Sequence, residues 1–239
     1  MKPLIKLFFW VCGLIILIIL IRNPFTDSES MWKTFPLPLS GQTIVIDPGH
    51  GGADGGAVGK DNTTEKDIAL RVAKVTKDYL QEAGAVVYLT REEDHDLAEE
   101  DVRGLSRRKA QDIRNRLKFI HDKEADLFIT IHLNALSSKQ WHGAQTFYYP
   151  TFPENKFLAQ MIQAEIIRNL ENTDRVPLQI NGIYLLKHAE IPGALVEIGF
   201  LSNDTELELL KDRGYQQKMA ASIYQGIVRY VSEEKDFEE

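Results

Sequence analysis

"TIVIDPGHGGADGGAVGKD" runs from Thr43 to Asp61, and its reading decides the fold. Ile44, Val45 and Ile46 make a short β-branched run, the pattern of a buried strand. Asp47-Pro48-Gly49 ends the run and a glycine-rich turn comes next. A strand feeding such a turn is where nucleotide-binding α/β folds keep their phosphate loops. The spacing excludes that use. A dinucleotide fingerprint opened by Gly49 and Gly51 needs a third glycine where Asp54 stands, and a carboxylate there repels a pyrophosphate. A Walker loop ending at Gly59-Lys60 needs glycine at 54 and Ser or Thr at 61, and both places hold aspartate. The phosphate readings leave His50 unexplained, between Gly49 and Gly51 just past the strand end. Flanking glycines let backbone and ligand approach without a Cβ between them. Alone, His50 reads as a hydrogen-bonded turn histidine; partners change that reading.

Outward from this loop, helices and strands alternate. Thr63-Thr64 can cap a helix opening near Glu65, in which Ile68, Val72, Val75 and Tyr79 form one apolar stripe until Gly84. Residues 85–90 read as a strand, 91–104 as an acidic irregular loop, and 105–121 as a helix. Strands at 126–135 and 144–150 precede a helix over 155–170. "GALVEIGF" (193–200) is a fully apolar strand apart from Glu197, and helices at 204–211 and 215–232 close the chain. The alternation predicts a single α/β domain with a mostly parallel twisted sheet flanked by helices. Ligands of such folds gather beyond the carboxyl ends of the strands, so the active site is expected at that edge.

A chain of 239 residues accommodates one good-sized domain. Its net charge of −7 leaves no basic surplus to displace counterions, which excludes a general nucleic-acid binder. Residues 1–25 stand apart. Lys2 and Lys6 precede an unbroken apolar run from Leu7 to Ile21, closed by Arg22. The run is shorter than the ~20 residues usual for a spanning helix. No small-x-small cleavage site comes after it, and basic side chains at both ends can snorkel. These features predict an uncleaved export signal that anchors the protein to the outer face of a membrane. Polar, proline-bearing residues 26–40 read as a linker, 41–232 as the exported folded domain and 233–239 as a polar tail. The one cysteine, Cys12, lies in the apolar run. Any metal in the exported part is therefore held by nitrogen and oxygen.

Candidates for that set stand where the buried strands end. The first strand delivers His50, and Asp126–Ile131 is followed at once by His132. Glu197 sits inside an apolar strand with no basic neighbour in sequence, and Glu65 opens the helix after the glycine loop. Two histidines and two glutamates thus converge on one edge of the sheet. Two imidazoles and one carboxylate make a catalytic zinc set with a position left for water, and the other carboxylate is free to act as general base. Glu197 could instead be a buried acid paired with arginine, and Glu65 could be an acid favoured by the helix dipole.

At "IDPGHGGADGGAVG", "TEKDIAL", "TREED", "ADLFITIHLNA" and "PGALVEIGFLSN" the chain resembles the zinc-dependent N-acetylmuramoyl-L-alanine amidases of bacterial cell walls, over roughly residues 41–232. The resemblance implies one Zn2+ held by His50, Glu65 and His132, with Glu197 as the catalytic acid. It sets Asn134 at a site position of the "IHxNA" segment and matches Arg91 and Arg116 to arginines of structural character. The short length, the single apolar segment, "PLPLSG" and "QINGIYLL" are most similar to the germination-specific branch of that family. That likeness implies action on spore-cortex peptidoglycan between forespore and mother cell, leading to muramic δ-lactam, with a muramic acid deacetylase acting next. Lys187 stands where many relatives carry arginine, and a lysine lacks the fork that fixes a carboxylate's plane. It is expected to meet the stem peptide. His95, His121 and His142 read as bland, and His188, near the Glu197 strand, is the rival ligand. A zinc peptidase or deacetylase, or a wall-binding module without turnover, are the other readings of the same residues.

Overall fold

The computed structural model describes residues 3–22 and 37–238. It holds two compact units, Met1–Pro36 and Leu37–Glu239. In the first, helix α1 spans Pro3–Arg22, and its side chains are described without a break from Leu7 to Ile18. Among the described residues no helix is long and apolar enough to cross a membrane. Residues 26–36 of the expected linker lie outside the described residues.

The second unit is built on a sheet of β1 (Thr43–Pro48), β2 (Val86–Leu89), β3 (Leu127–Asn134), β4 (Gln145–Tyr148), β5 (Leu178–Gln179) and β6 (Gly193–Phe200). The strand order is β2-β1-β3-β6-β4-β5. The first four in that order run parallel, while β4 lies antiparallel on β6 and carries β5 parallel to itself. The expected mostly parallel sheet is what the chain forms.

Strand periodicity then sorts the side chains. Ile44, Ile46, Ile129, Ile131, Val196 and Ile198 pack on one face, beneath α2 (Glu65–Glu82), α4 (Pro153–Leu170) and α7 (Arg213–Glu238). Val45, Phe128 and Leu195 occupy the other face, against Ile120 of α3 (Leu105–Asp122) and Leu185 and Leu186 of α5 (Tyr184–His188). Helix α6 (Asp204–Lys211) comes after β6. Burial on both faces is why β1, β3 and β6 read as continuous apolar runs rather than alternating ones. The second face has the lighter cover, and a cleft of about 390 Å³ opens there between α3 and the start of α5.

Two elements have no counterpart in the sequence reading. Strand β5 and helix α5 are too short for either periodicity to register. At the end, the last helix continues to Glu238 through residues read as a polar tail.

Candidate metal centre and active site

The site begins with the carboxyl end of β1. Asp47 points to the α3 side and is fully buried. It accepts hydrogen bonds from Thr90 Oγ1 (2.6 Å), Thr130 Oγ1 (2.7 Å) and Arg116 Nη1 (2.7 Å). Burial alone would raise its pKa; the Arg116 guanidinium and both hydroxyls hold it below the usual carboxylate range. Arg116 also donates to Asp112 and to the carbonyls of Pro48 and His50. Arg91, itself buried, donates to the carbonyls of Pro48, Gly49 and Lys66. Burial, with Arg116 nearby, lowers the Arg91 pKa to about 10. The two arginines thus grip the backbone of residues 48–50 from either side, the structural work expected of them. What they hold is a strained turn, since His50 has φ 60°, a left-handed conformation uncommon for a residue with a Cβ.

His50 is aimed by Asp54. Its Nδ1 lies 2.7 Å from Asp54 Oδ2, where a hydrogen on Nδ1 is donated to the carboxylate, and Nε2 faces inward, 3.2 Å from Glu65 Oε2. Burial opposes protonation of His50, but the hydrogen bonds and charges of Glu65 and Asp54 outweigh it and raise the pKa. Asp54 also accepts the Gly56 N–H and pairs with Lys109 Nζ at 2.9 Å. Sequence reasoning used Asp54 only to exclude nucleotides. Its four-residue spacing from His50 inside one tight loop was the available signal for an orienting carboxylate.

Glu65 is the first residue of α2 and is buried. Its Oε2 accepts the Ala57 N–H at 2.7 Å, and its Oε1 accepts the Leu133 N–H at 2.9 Å and lies 2.9 Å from His132 Nδ1. Burial favours the neutral acid, yet the two histidines depress its pKa well below the usual range. The glycines serve these side chains. A Cβ on Gly49 would stand 2.5 Å from the His132 ring, and one on Gly56, at φ +69°, would stand 2.4 Å from Glu65 Oε2. The loop glycines were expected to leave space for a ligand; at these two positions they leave space for the side chains of His132 and Glu65.

One donor atom each from His50, Glu65 and His132 lies within 4.8 Å of the others. Two imidazole nitrogens and a carboxylate oxygen are donors that zinc accepts, and the carboxylate behind His50 is the usual support for a ligating histidine. The residues fit the ion. Glu197 stands beside them, opposite His132 in the β3–β6 register. Its Oε2 is buried without a hydrogen-bond partner among the described residues. Burial, reinforced by Glu65 and opposed by His132 and His50, raises its pKa to about 7.

The remaining candidates fall elsewhere. Asn134 ends β3 past a register shift, and its carbonyl accepts the Leu201 N–H. Lys187 is exposed on α5 with no ion pair among the described residues, while Tyr184 and Leu185 line the cleft on that side. The His188 ring lies against Tyr184, 4.4 Å between centroids, and His142 Nδ1 meets the Gln140 carbonyl. Neither belongs to the cluster.

An α/β fold carrying two histidines, a glutamate and a further half-buried acid at the carboxyl edge of its sheet has the donor set that a metal-assisted hydrolase requires. A sequence profile described as N-acetylmuramoyl-L-alanine amidase matches residues 44–229, and the chain belongs to that family. It is 52% identical over 236 residues to the germination-specific N-acetylmuramoyl-L-alanine amidase of Bacillus subtilis (strain 168), covering 99% of each chain. Among solved structures it is similar to the CwlD amidase of Clostridioides difficile, in complex with the GerS lipoprotein. The TM-score is 0.78 at 40% identity, over 80% of this chain and 98% of that one. The catalytic domain of CwlV from Bacillus (Paenibacillus) polymyxa var. colistinus gives a TM-score of 0.70 at 28% identity, over 80% and 98% of the two chains.

Proposed function

We propose that this amidase works on spore-cortex peptidoglycan with one zinc ion held by His50, Glu65 and His132 and with Glu197 as its acid–base group. The observation that carries the reading is three convergent donors within 4.8 Å beside an acid whose buried Oε2 has no hydrogen-bond partner among the described residues. When bound, zinc supplies Lewis acidity to a carbonyl and to the attacking water. Glu197, poised near neutrality, takes a proton from that water and delivers one to the nitrogen as the bond between the lactyl carbonyl and L-alanine breaks. Asp54 keeps His50 in the tautomer whose Nε2 can bind metal. The cleft between α3 and α5 is the place for the stem peptide.

The relation to a germination-specific amidase supports a cortex substrate. The product there is a muramic acid freed of its peptide, which a deacetylase can unmask for closure to the δ-lactam. The apolar run from Leu7 to Ile21 supports export and attachment of domain 41–232 to a membrane. Digestion of purified cortex peptidoglycan by the zinc-loaded chain tests the reading. New amino-terminal L-alanine with intact sugar is expected, abolished by chelation and restored by zinc. Released acetate, new peptide ends elsewhere, or binding without products would replace it.

A further inference from the structure

In β3, β6 and β4, three residues lie side by side across the sheet. His132 is paired with Glu197, and Glu197 is paired on its other side with Gln145. Residues directly opposite in an antiparallel pair share a face, with Cβ atoms about 4.5–5.5 Å apart. Phe147, two residues on from Gln145, packs with Leu195 on the cleft face, whereas Thr146 turns to α4 and donates to the Ala159 carbonyl. Gln145 therefore stands on the catalytic face as the third member of the row.

Its amide is oriented. Gln145 Nε2 donates to the Val176 carbonyl at 3.0 Å. A backbone carbonyl only accepts, so the amino end of the side chain faces Val176 and Oε1 faces away from it. Among the described residues nothing donates to that oxygen. The side chain thus springs from the position beside the acid and carries an acceptor with no donor among the described residues, while its amino end ties β4 to the Val176 segment.

Amide hydrolysis gives such an acceptor a use. As the scissile nitrogen becomes pyramidal, its lone pair must face the proton donor, and its own hydrogen then points elsewhere. We infer that Gln145 positions the leaving group, its Oε1 accepting the scissile N–H while Glu197 protonates the same nitrogen. The C–N electron pair goes to nitrogen, the proton comes from Glu197, and the amine of L-alanine departs. This rests on the assignment of Glu197 as the acid–base group.

The test compares zinc-loaded full chains on two substrates: N-acetylmuramoyl-L-alanyl-D-isoglutamine, and its analogue with L-lactate for L-alanine, in which an ester oxygen replaces the N–H. Gln145→Met keeps the length and removes the acceptor. On the amide, kcat should fall roughly three- to tenfold, the size of one neutral hydrogen bond, with zinc content and KM little changed and any fall in melting temperature no larger than loss of the one exposed bond to Val176 explains. On the ester, variant and wild type should match. Equal losses on both substrates, or none on the amide, would overturn the assignment. Loss of zinc would overturn it too, by making Gln145 part of the ligand scaffold. Glu197→Gln is run alongside. If it stays active, the acid–base assignment fails and this inference with it; if it is dead while Gln145→Met matches wild type on the amide, only this inference fails.

Discussion

The two ends of the catalytic edge are built on opposite principles. Around β1, hydrogen bonding is dense: Asp47 accepts three side-chain donors, and Arg91 and Arg116 hold the carbonyls of Pro48, Gly49 and His50. Both oxygens of Glu65 are pinned by backbone N–H groups. On β6, two strands away across β3, the Glu197 carboxylate has a buried oxygen with no partner among the described residues. Each half is suited to its task. In the proposed reading, metal ligands are useful when immobile, with the carboxylate ionised and the imidazoles neutral, and fixed hydrogen-bond partners serve that end. The proposed acid–base group is useful near neutrality, and a carboxylate with a buried oxygen and no donor among the described residues suits that role.

The largest effects should come from the rigid half. His50→Ala, His132→Ala and Glu65→Ala should each abolish activity and lose metal, because two protein ligands remain. Metal content per chain after dialysis checks this, and a zinc-replete Glu65→Ala would remove that ligand from the set. Glu197→Gln should separate the halves. Hydrolysis should drop by about 10²–10⁴ while zinc stoichiometry stays at wild type, since only the proton transfer is lost. Retained activity would place the base elsewhere.

Arg116→Met attacks the frame behind the proposed ligands, including the bond to the His50 carbonyl, while leaving their side chains in place. Removing one partner of a buried pair leaves Asp47 uncompensated and should cost about 3–5 kcal/mol in denaturant unfolding. The pH dependence has a definite sign. Asp47 has a depressed folded pKa, so its stabilisation is complete above its unfolded value near ~4 and is lost as pH falls through the folded value. Without Arg116, burial dominates and pushes the Asp47 pKa up, so acid unfolding of the variant should begin at higher pH. Identical acid midpoints would show that the pair is not coupled.

The smallest effect is expected at Lys187, exposed on α5. Lys187→Ala should raise KM for peptidoglycan a few-fold and leave kcat near wild type, as lost ground-state binding does. Added salt should shrink the difference by screening the exposed charge. A fall in kcat at constant KM would bring Lys187 into the transition state, and the contrast between the two halves would need a third party.

Much of this was legible in the sequence because strand ends are local features. The apolar runs locate β1, β3 and β6, and His50, His132 and Glu197 are the polar residues that end or interrupt them. Parallel strands bring such ends to one edge, so the α/β class and the four converging residues could be read from the chain alone. Other features depend on contacts between distant segments. No local pattern says that Arg116 reaches Asp47 across 69 positions, or that Gly49 is glycine because the His132 ring lies against it. Strand β4 reads as one more strand; only its antiparallel register against β6 sets Gln145 beside Glu197. Periodicity reports which face a residue takes within its own element. Which residue of another element stands opposite is fixed by packing and register, and no single segment carries that information.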